Sequence, residues 1–173
     1  TVREGVMKKE VIDANYKSEI IKINANEVLN DEDFVVEVME RHIEESSVNL
    51  KDAPIIVAGG YGVGSKENFD LLRNLANILG GEVGGSRAAV DAGYIDHNRQ
   101  IGQTGTTVRP KLYIAAGISG AIQHTAGMQD ASMIISINND PDAPINAIAD
   151  YVITGDLGVV LPKMIKYYKE NAK

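Results

Sequence analysis

The sequence contains no cysteine. Disulfides, Fe–S clusters, thiolate zinc sites and cysteine nucleophiles are therefore excluded, and any redox chemistry has to come from a bound cofactor. It also lacks a run of lysine or arginine, and its formal charge is −7 with a pI near 4.9. Such an average field repels nucleic acid and anionic membranes, so neither is expected as a partner, whereas basic protein surfaces are attracted. No stretch reaches the roughly 18 continuous apolar residues of a membrane span, and the opening TVREGVMKKE has no signal-peptide core. These absences lead to the expectation of a cytoplasmic or organelle-matrix protein without membrane insertion. There is no internal repeat and no low-complexity tract.

What is present suffices for one sizeable core: 173 residues, 44% of them hydrophobic. Residues 1–50 read as an N-terminal appendage and residues 51–173 as the main domain. In the appendage, SEIIKINA (18–25) is predicted as a strand, with Ile21 and Ile23 alternating with Lys22 and Asn24. Asn30 or Asp31 is then predicted to cap an amphipathic helix reaching about Glu45, with Phe34, Val35, Val38 and Met39 on one stripe. His42 borders that stripe and has no partner spaced to make it a ligand. Residue 1 is Thr and the opening segment has turn chemistry, which suggests a chain cut from something longer; a processed terminus would look the same.

From Lys51 onward, apolar runs alternate with helical segments. PIIVAG (54–59), EVGG (82–85), LYIAA (112–116), MIISIN (133–138) and YVITG (151–155) read as strands. ENFDLLRNLANIL, opened by Ser65 or Lys66 and stopped by Gly80-Gly81, reads as a helix. So do SRAAVDAG (86–93), SGAIQHTAG begun by Ser119, and Asp156 to about Lys169, with Pro162 expected to kink the last. Alternation of this kind predicts an α/β fold: a three-layer, Rossmann-like domain with a parallel sheet covered by helices on both faces.

Ligands of such sheets sit at the carboxyl ends of the strands. Three strands here end in glycine turns: GGYGVGS (59–65), GGS (84–86) and GISG (117–120). A glycine turn either admits a phosphate or merely allows close packing of backbone. The first is not a Walker A loop, since Ser65-Lys66 stands in reverse order, and it is an imperfect dinucleotide fingerprint. Glu82, about twenty residues beyond Gly62, keeps a nicotinamide-dependent dehydrogenase open; an adenine-nucleotide-binding regulatory domain would use the same glycines. Ser86-Arg87 sets a permanent cation beside a hydroxyl, GQTG (102–105) offers polar donors, and His124 follows Ser119 by five residues. Asp91, Asp96 and His97 cluster in sequence, but a solvated loop accounts for them, and no nucleophile–base pair is legible.

Five stretches, SRAAVDAG (86–93), IGQTG (101–105), LYIAAGISGAIQHTAGM (112–128), INNDPDAPI (137–145) and ADYVITGDL (149–157), together resemble the C-terminal, FAD-binding domain of electron-transfer flavoprotein α subunits. The opening TVREGVM resembles the end of that subunit's N-terminal domain, whose remainder is then absent from this sequence. The resemblance implies FAD as cofactor, the electron-transfer flavoprotein β subunit as partner, and acyl-CoA or other flavin dehydrogenases as redox partners. It implies an electron carrier with no substrate of its own. Carried over by residue, Ser86 and Arg87 would lie at the flavin ring. Ile101, Gly102, Gln103 and Thr104 would line it, with the Thr104 hydroxyl near flavin N5. Ser119, Gly120, Ala121, Ile122 and Gln123 would serve pyrophosphate and ribityl, and His124 the pyrimidine carbonyl. Asn138, Asp156 and Leu157 would take the adenosine half. Gly-Gly-Arg-Gly is common in the family's first turn, whereas this chain has Gly59-Gly60-Tyr61-Gly62.

Electron uptake places negative charge on the flavin ring, so nearby donors raise its potential. A full charge about 4 Å away at an effective dielectric near 20 is worth about 4 kcal/mol, an upper limit of roughly 170 mV for one electron. A neutral hydrogen bond supplies about a quarter as much. Arg87 is thus expected to be the stronger tuner, and His124 to rival it only when protonated.

Overall fold

The computed structural model describes residue 17 and residues 19–33, 36, 38–40 and 48–171. The chain divides into two units, Thr1–Glu45 and Ser46–Lys173.

In the first unit, residues 19–24 form no strand; a single helical turn, α1 (Ala25–Val28), follows, and then a 3-10 turn over Asp31–Asp33. The strand expected over 18–25 is therefore not found among the described residues. The helix expected to run to Glu45 is reduced there to the 3-10 turn, since residues 36 and 38–40 are irregular. The physical reason is missing cover. Ile20, Ile21 and Ile23 are 75–80% exposed, and Val36, Val38 and Met39 are 71–86% exposed. Alternation stabilises a strand only beside a neighbour, and an apolar stripe stabilises a helix only when it is buried. Ser18, Phe34, Val35 and His42 lie outside the described residues.

The second unit is a five-stranded parallel sheet: β1 (Ile55–Gly59), β2 (Glu82–Gly85), β3 (Leu112–Ala116), β4 (Ile134–Asn138) and β5 (Tyr151–Thr154), in the order β2-β1-β3-β4-β5. Continuous apolar runs predict strands buried on both faces; the interiors of β1, β3 and β4 bear this out, whereas the edge strand β5 is largely exposed. Val57, Ile114, Ala116 and Ile137 point to one face; Ile56, Ala58, Tyr113 and Ala115 point to the other. The first face is covered by α2 (Phe69–Leu79) and α5 (Leu157–Asn171), through Phe69, Leu72, Leu75 and Leu161. α3 (Arg87–Asp91) contributes Ala89 on the same side. The second face is covered by α4 (Ile122–Thr125), a 3-10 helix over Pro144–Ile148 and the loops that bring in Ile101, Val108, Ile118, Met128 and Ile145. The expected α/β class and both covered faces are observed, although the second layer is built from short helices and loops.

α2 starts at Phe69, two residues inside the expected segment; Ser65 Oγ accepts the Asn68 N–H at 3.2 Å in the turn before it. Its end follows prediction, with Gly80 left-handed at φ 70° and its N–H bonded to the last carbonyls. α5 contains Pro162, whose missing N–H deprives the Gly158 carbonyl of its intrahelical donor.

The turn after β1 and the turn after β3 touch backbone to backbone. Gly60 N–H donates to the Ala116 carbonyl at 2.9 Å and Gly62 N–H to the Gly117 carbonyl at 3.1 Å. A Cβ on Gly60 would lie 2.1 Å from the Gly117 oxygen. Gly60→Ala is therefore expected to cost about 2–3 kcal/mol through overpacking, although its φ of −99° suits alanine. Gly80→Ala, in open space but left-handed, is expected to cost about 1 kcal/mol. Urea unfolding of the two variants ranks them; a Gly80 variant at least as unstable as the Gly60 variant contradicts the packing account.

Candidate functional site: a cleft at the switch point of the sheet

From β1 the chain crosses to β2 on one side and later returns to β3 on the other, so β1 and β3 flank the topological switch point. Loops diverge there and leave a crevice at the carboxyl ends of the strands. Here the crevice is a cleft of about 810 Å³, within the range of about 300–1,000 Å³ typical of ligand pockets. All five strand ends contribute to it: Gly60 to Gly62, Ser86 and Arg87, Gly117 to Ser119, Asn138 to Asp140, and Gly155 with Leu157.

Of the residues singled out from sequence, Ser86, Arg87, Ile101, Gly102, Thr104, Ser119, Ala121, Gln123, His124, Asn138 and Leu157 line this one cleft. Gln103, Gly120, Ile122 and Asp156 are not on its wall. Ile122 is 81% exposed. Asp156 Oδ1 accepts the Gly158 N–H at 2.7 Å, capping α5. Gly120 is buried against Ile145, and Gln103 uses its N–H on the Gln123 carbonyl at 2.7 Å.

The segment after β3 departs from expectation. A helix beginning at Ser119 was predicted, but α4 begins at Ile122. Gly117 and Gly120 hold φ of 60° and 94°, which interrupts any helix, and the Ser119 carbonyl accepts the Ile145 N–H at 3.0 Å. The stretch from Gly117 to Ala121 is therefore a loop. Within the described residues no acceptor is found for the amide N–H groups of residues 118–121. Four successive amides without a protein acceptor, in a loop that enters the cleft through Ile118, Ser119 and Ala121, are donors of the kind that anions accept. The first turn differs, because its glycine donors are spent on Ala116 and Gly117. Close packing accounts for Gly60 and Gly62, and a left-handed turn at φ 85° for Gly64.

Ser86 caps α3, its Oγ accepting the Ala89 N–H at 3.4 Å. Arg87 opens that helix, and its guanidinium pairs with Asp91 at 3.4 Å with the side chain 71% exposed. It is the only permanent cation among the lining residues, which also include Asp91 and Asp140. The Thr104 hydroxyl accepts from Gln100 Nε2 at 3.0 Å, which leaves its own O–H free to donate. Asn138 Nδ2 donates to the Ile118 carbonyl at 2.8 Å and so ties the loop after β3 to the end of β4. Sequence reasoning missed Gln100, a buried residue that lines the cleft and orients Thr104. A buried glutamine just before a functional loop carries no periodic signal.

His124 is buried, with Nδ1 3.1 Å from the Ile101 carbonyl and Nε2 3.0 Å from the Tyr113 hydroxyl. A carbonyl only accepts, so Nδ1 carries the proton and the tyrosine donates to Nε2. Neither ring nitrogen is free. Burial lowers the His124 pKa to about 4, against the smaller raising influence of the Ile101 hydrogen bond, while burial pushes the Tyr113 phenol up. The imidazole is thus neutral at pH 7.

Glu82, the residue on which a nicotinamide site would depend, opens β2 rather than closing it. It lies at the end of the sheet away from the cleft and pairs with Arg99 at 3.0 Å. Asp91, Asp96 and His97 are all exposed. Among the described residues there is no cluster able to hold a metal, and no helix is long and apolar enough to cross a membrane.

Residues 49–129 match the electron transfer flavoprotein FAD-binding domain family, and these residues supply most of the cleft wall. The chain belongs to the electron transfer flavoprotein α family. FAD is the cofactor of that domain family. The chain is 50% identical over 171 residues to the electron transfer flavoprotein subunit alpha of Thermoanaerobacterium thermosaccharolyticum, covering 98% of this chain and 51% of that protein. It is 54% identical over 172 residues to protein FixB of Clostridium saccharobutylicum, covering 98% and 50%. With the Bacillus subtilis electron transfer flavoprotein subunit alpha it shares 57% over 123 residues, covering 71% and 38%. The chain thus spans about half the length of its first relatives. Neither the dehydrogenase nor the adenylate-regulator alternative finds support among them.

The buried imidazole has a consequence for stability. Its folded pKa of about 4 lies below the ordinary 6.5, so as pH falls the unfolded chain takes up the proton first. The contribution is complete above about pH 6.5 and is lost as pH falls toward 4, in total about 3 kcal/mol. Urea unfolding at pH 7.5 and 4.5 should show wild type losing about 2–3 kcal/mol more than His124→Gln; equal losses would contradict a buried neutral imidazole.

Proposed function

We propose that this chain is the FAD-holding part of an electron-transfer flavoprotein α subunit, paired with a β subunit and passing electrons between acyl-CoA or other flavin dehydrogenases and an acceptor protein. The observation that carries this is one cleft at the switch point, floored by glycine backbone and walled mostly by the stretch that matches the FAD-binding family. The residues suit a dinucleotide: free amides at 118–121 for a diphosphate, one cation, and a wall of Ile101, Gly102 and Thr104 for a flat ring. FAD, when bound, supplies reversible uptake of one or two electrons.

The chain's own groups bind and tune it. Ser86 and Arg87 meet the ring, with Thr104 donating through its free O–H. Ser119, Ala121 and Gln123 hold the diphosphate and ribityl chain, and His124, whose two ring nitrogens are already bonded within the protein, flanks the pyrimidine edge as a neutral ring and not as a hydrogen-bond donor. Asn138 and Leu157 lie toward the adenosine half; Asp156, behind them, caps α5 and so sets where Leu157 begins. A buried neutral His124 removes the pH-dependent tuning expected of it in the neutral range and leaves Arg87 as the charged tuner.

Two measurements test this reading. Purified protein mixed with excess FAD should bind it and turn yellow; absence of binding, with the fold intact by circular dichroism, overturns the assignment. Arg87→Ala should lower the first reduction potential of the bound flavin. Because the guanidinium is well exposed, solvent screens it. The effect should fall between about 40 mV, for a water-like dielectric, and the upper limit of about 170 mV. Spectroelectrochemistry giving an unchanged potential with FAD bound would remove Arg87 from that role.

A further inference from the structure

Tyr113 is the largest side chain in the core and is fully buried on the sheet face beneath the cleft wall. Burying a phenol costs stability unless its hydroxyl is bonded, and this hydroxyl has one side-chain partner among the described residues, His124 Nε2 at 3.0 Å. The two rings lie 6.3 Å apart between centroids and are tilted by 56°, so they meet through that bond and not through stacking. The other ring nitrogen is held by the Ile101 carbonyl. One hydrogen bond would leave the imidazole free to pivot; two, from β3 on one side and the loop at Ile101 on the other, fix its plane. Ile101 begins the loop that lines the cleft, and that loop is pinned to the segment carrying His124 by Gln103 N–H to the Gln123 carbonyl at 2.7 Å.

We propose that Tyr113 is a positioning residue for the cofactor site: its hydroxyl locks the plane and tautomer of His124 and, through it, the Ile101 to Thr104 wall of the cleft. A phenol is suited to this because it donates to a neutral imidazole and can accept from a protonated one, so the orientation survives either charge state. Phenylalanine would fill the same volume and lack only this function. The inference rests on the reading of the cleft as an FAD site.

The test is a double-mutant cycle of Tyr113→Phe and His124→Gln, read by FAD fluorescence quenching and by the potential of the bound flavin. With His124 present, Tyr113→Phe should weaken FAD binding about three- to tenfold, the usual range for one neutral hydrogen bond. In the His124→Gln background it should change binding less than about twofold. Equal weakening in both backgrounds means that the tyrosine serves only the core, and overturns the proposal. Histidine 15N NMR of the cofactor-free protein supplies an independent arm. His124 should show a protonated Nδ1 and a hydrogen-bonded Nε2 in wild type, with Nε2 moving toward its unbonded position in Tyr113→Phe. An unbonded Nε2 in wild type also overturns the proposal. If wild-type protein fails to bind FAD while Nε2 behaves as expected, the cofactor assignment has failed and the tyrosine–histidine lock has not.

Discussion

The turn after β1 lies with its backbone directly on the backbone of the turn after β3, joined by the hydrogen bonds from Gly60 and Gly62 to Ala116 and Gly117. No side chain fits between them, since a Cβ on Gly60 or on Gly117 would strike the opposing chain. This contact draws together the two strand ends at the switch point and forms the cleft floor. It also divides the labour of the glycine turns. The Gly60 and Gly62 donors of the first turn are consumed by the second, whereas the amides of residues 118–121 find no acceptor among the described residues. Asn138 then fixes that loop from behind through the Ile118 carbonyl.

Electrostatics narrow what such a cleft can hold. The protein carries a charge of −7, and two of the cleft's charged groups, Asp91 and Asp140, are acidic. Attraction for an anionic ligand therefore comes from local dipoles and a single guanidinium, not from the overall field. The Arg87–Asp91 pair is exposed and of the i,i+4 kind, worth only about 0.3–0.5 kcal/mol. Exchange of Asp91 for a ligand anion would cost little, which lets Arg87 act as a ligand contact despite having a partner. His124 adds no charge at neutral pH, because burial of the ring disfavours its protonated form.

The sheet was legible in the sequence because the central strands, buried on both faces, leave continuous apolar runs and the edge strand β5 keeps a β-branched run though largely exposed; the runs at 54–59, 82–85, 112–116, 133–138 and 151–155 match the strands within a residue. The carboxyl-end location of the cleft followed from glycines placed after strands. Other features depend on partners that local pattern does not reveal. The helix begun at Ser119 failed because Gly120 packs against Ile145, twenty-five residues later. Glu82 has the separation of a ribose ligand but stands at the wrong end of its strand. The amphipathic pattern of residues 18–45 was real as a pattern, yet its described apolar residues stay exposed. Gln100 and Tyr113 matter through their hydrogen-bond partners, and spacing alone encodes neither.

The departure at Tyr61 fits this arrangement. Where the family commonly has arginine between glycines, Tyr61 stacks on Tyr94 with centroids 6.0 Å apart and planes 23° apart, and Tyr94 in turn meets Phe69 at 6.2 Å. Phe69, the first residue of α2, is fully buried. The side chain at this position is thereby anchored to the hydrophobic core through a ladder of three rings, rather than held by an anion. An arginine there would gain a phosphate but forgo aromatic contacts worth about 0.5–1.5 kcal/mol per pair. With tyrosine in place, a diphosphate bound as proposed would be held chiefly by the amides of residues 118–121. Backbone dipoles held by a rigid sheet are screened by salt less than an exposed cation would be. On the proposed reading, tyrosine in place of a charged side chain at the rim would leave the binding of the diphosphate to the glycine loop after β3, the element that the packing of the two turns keeps in place.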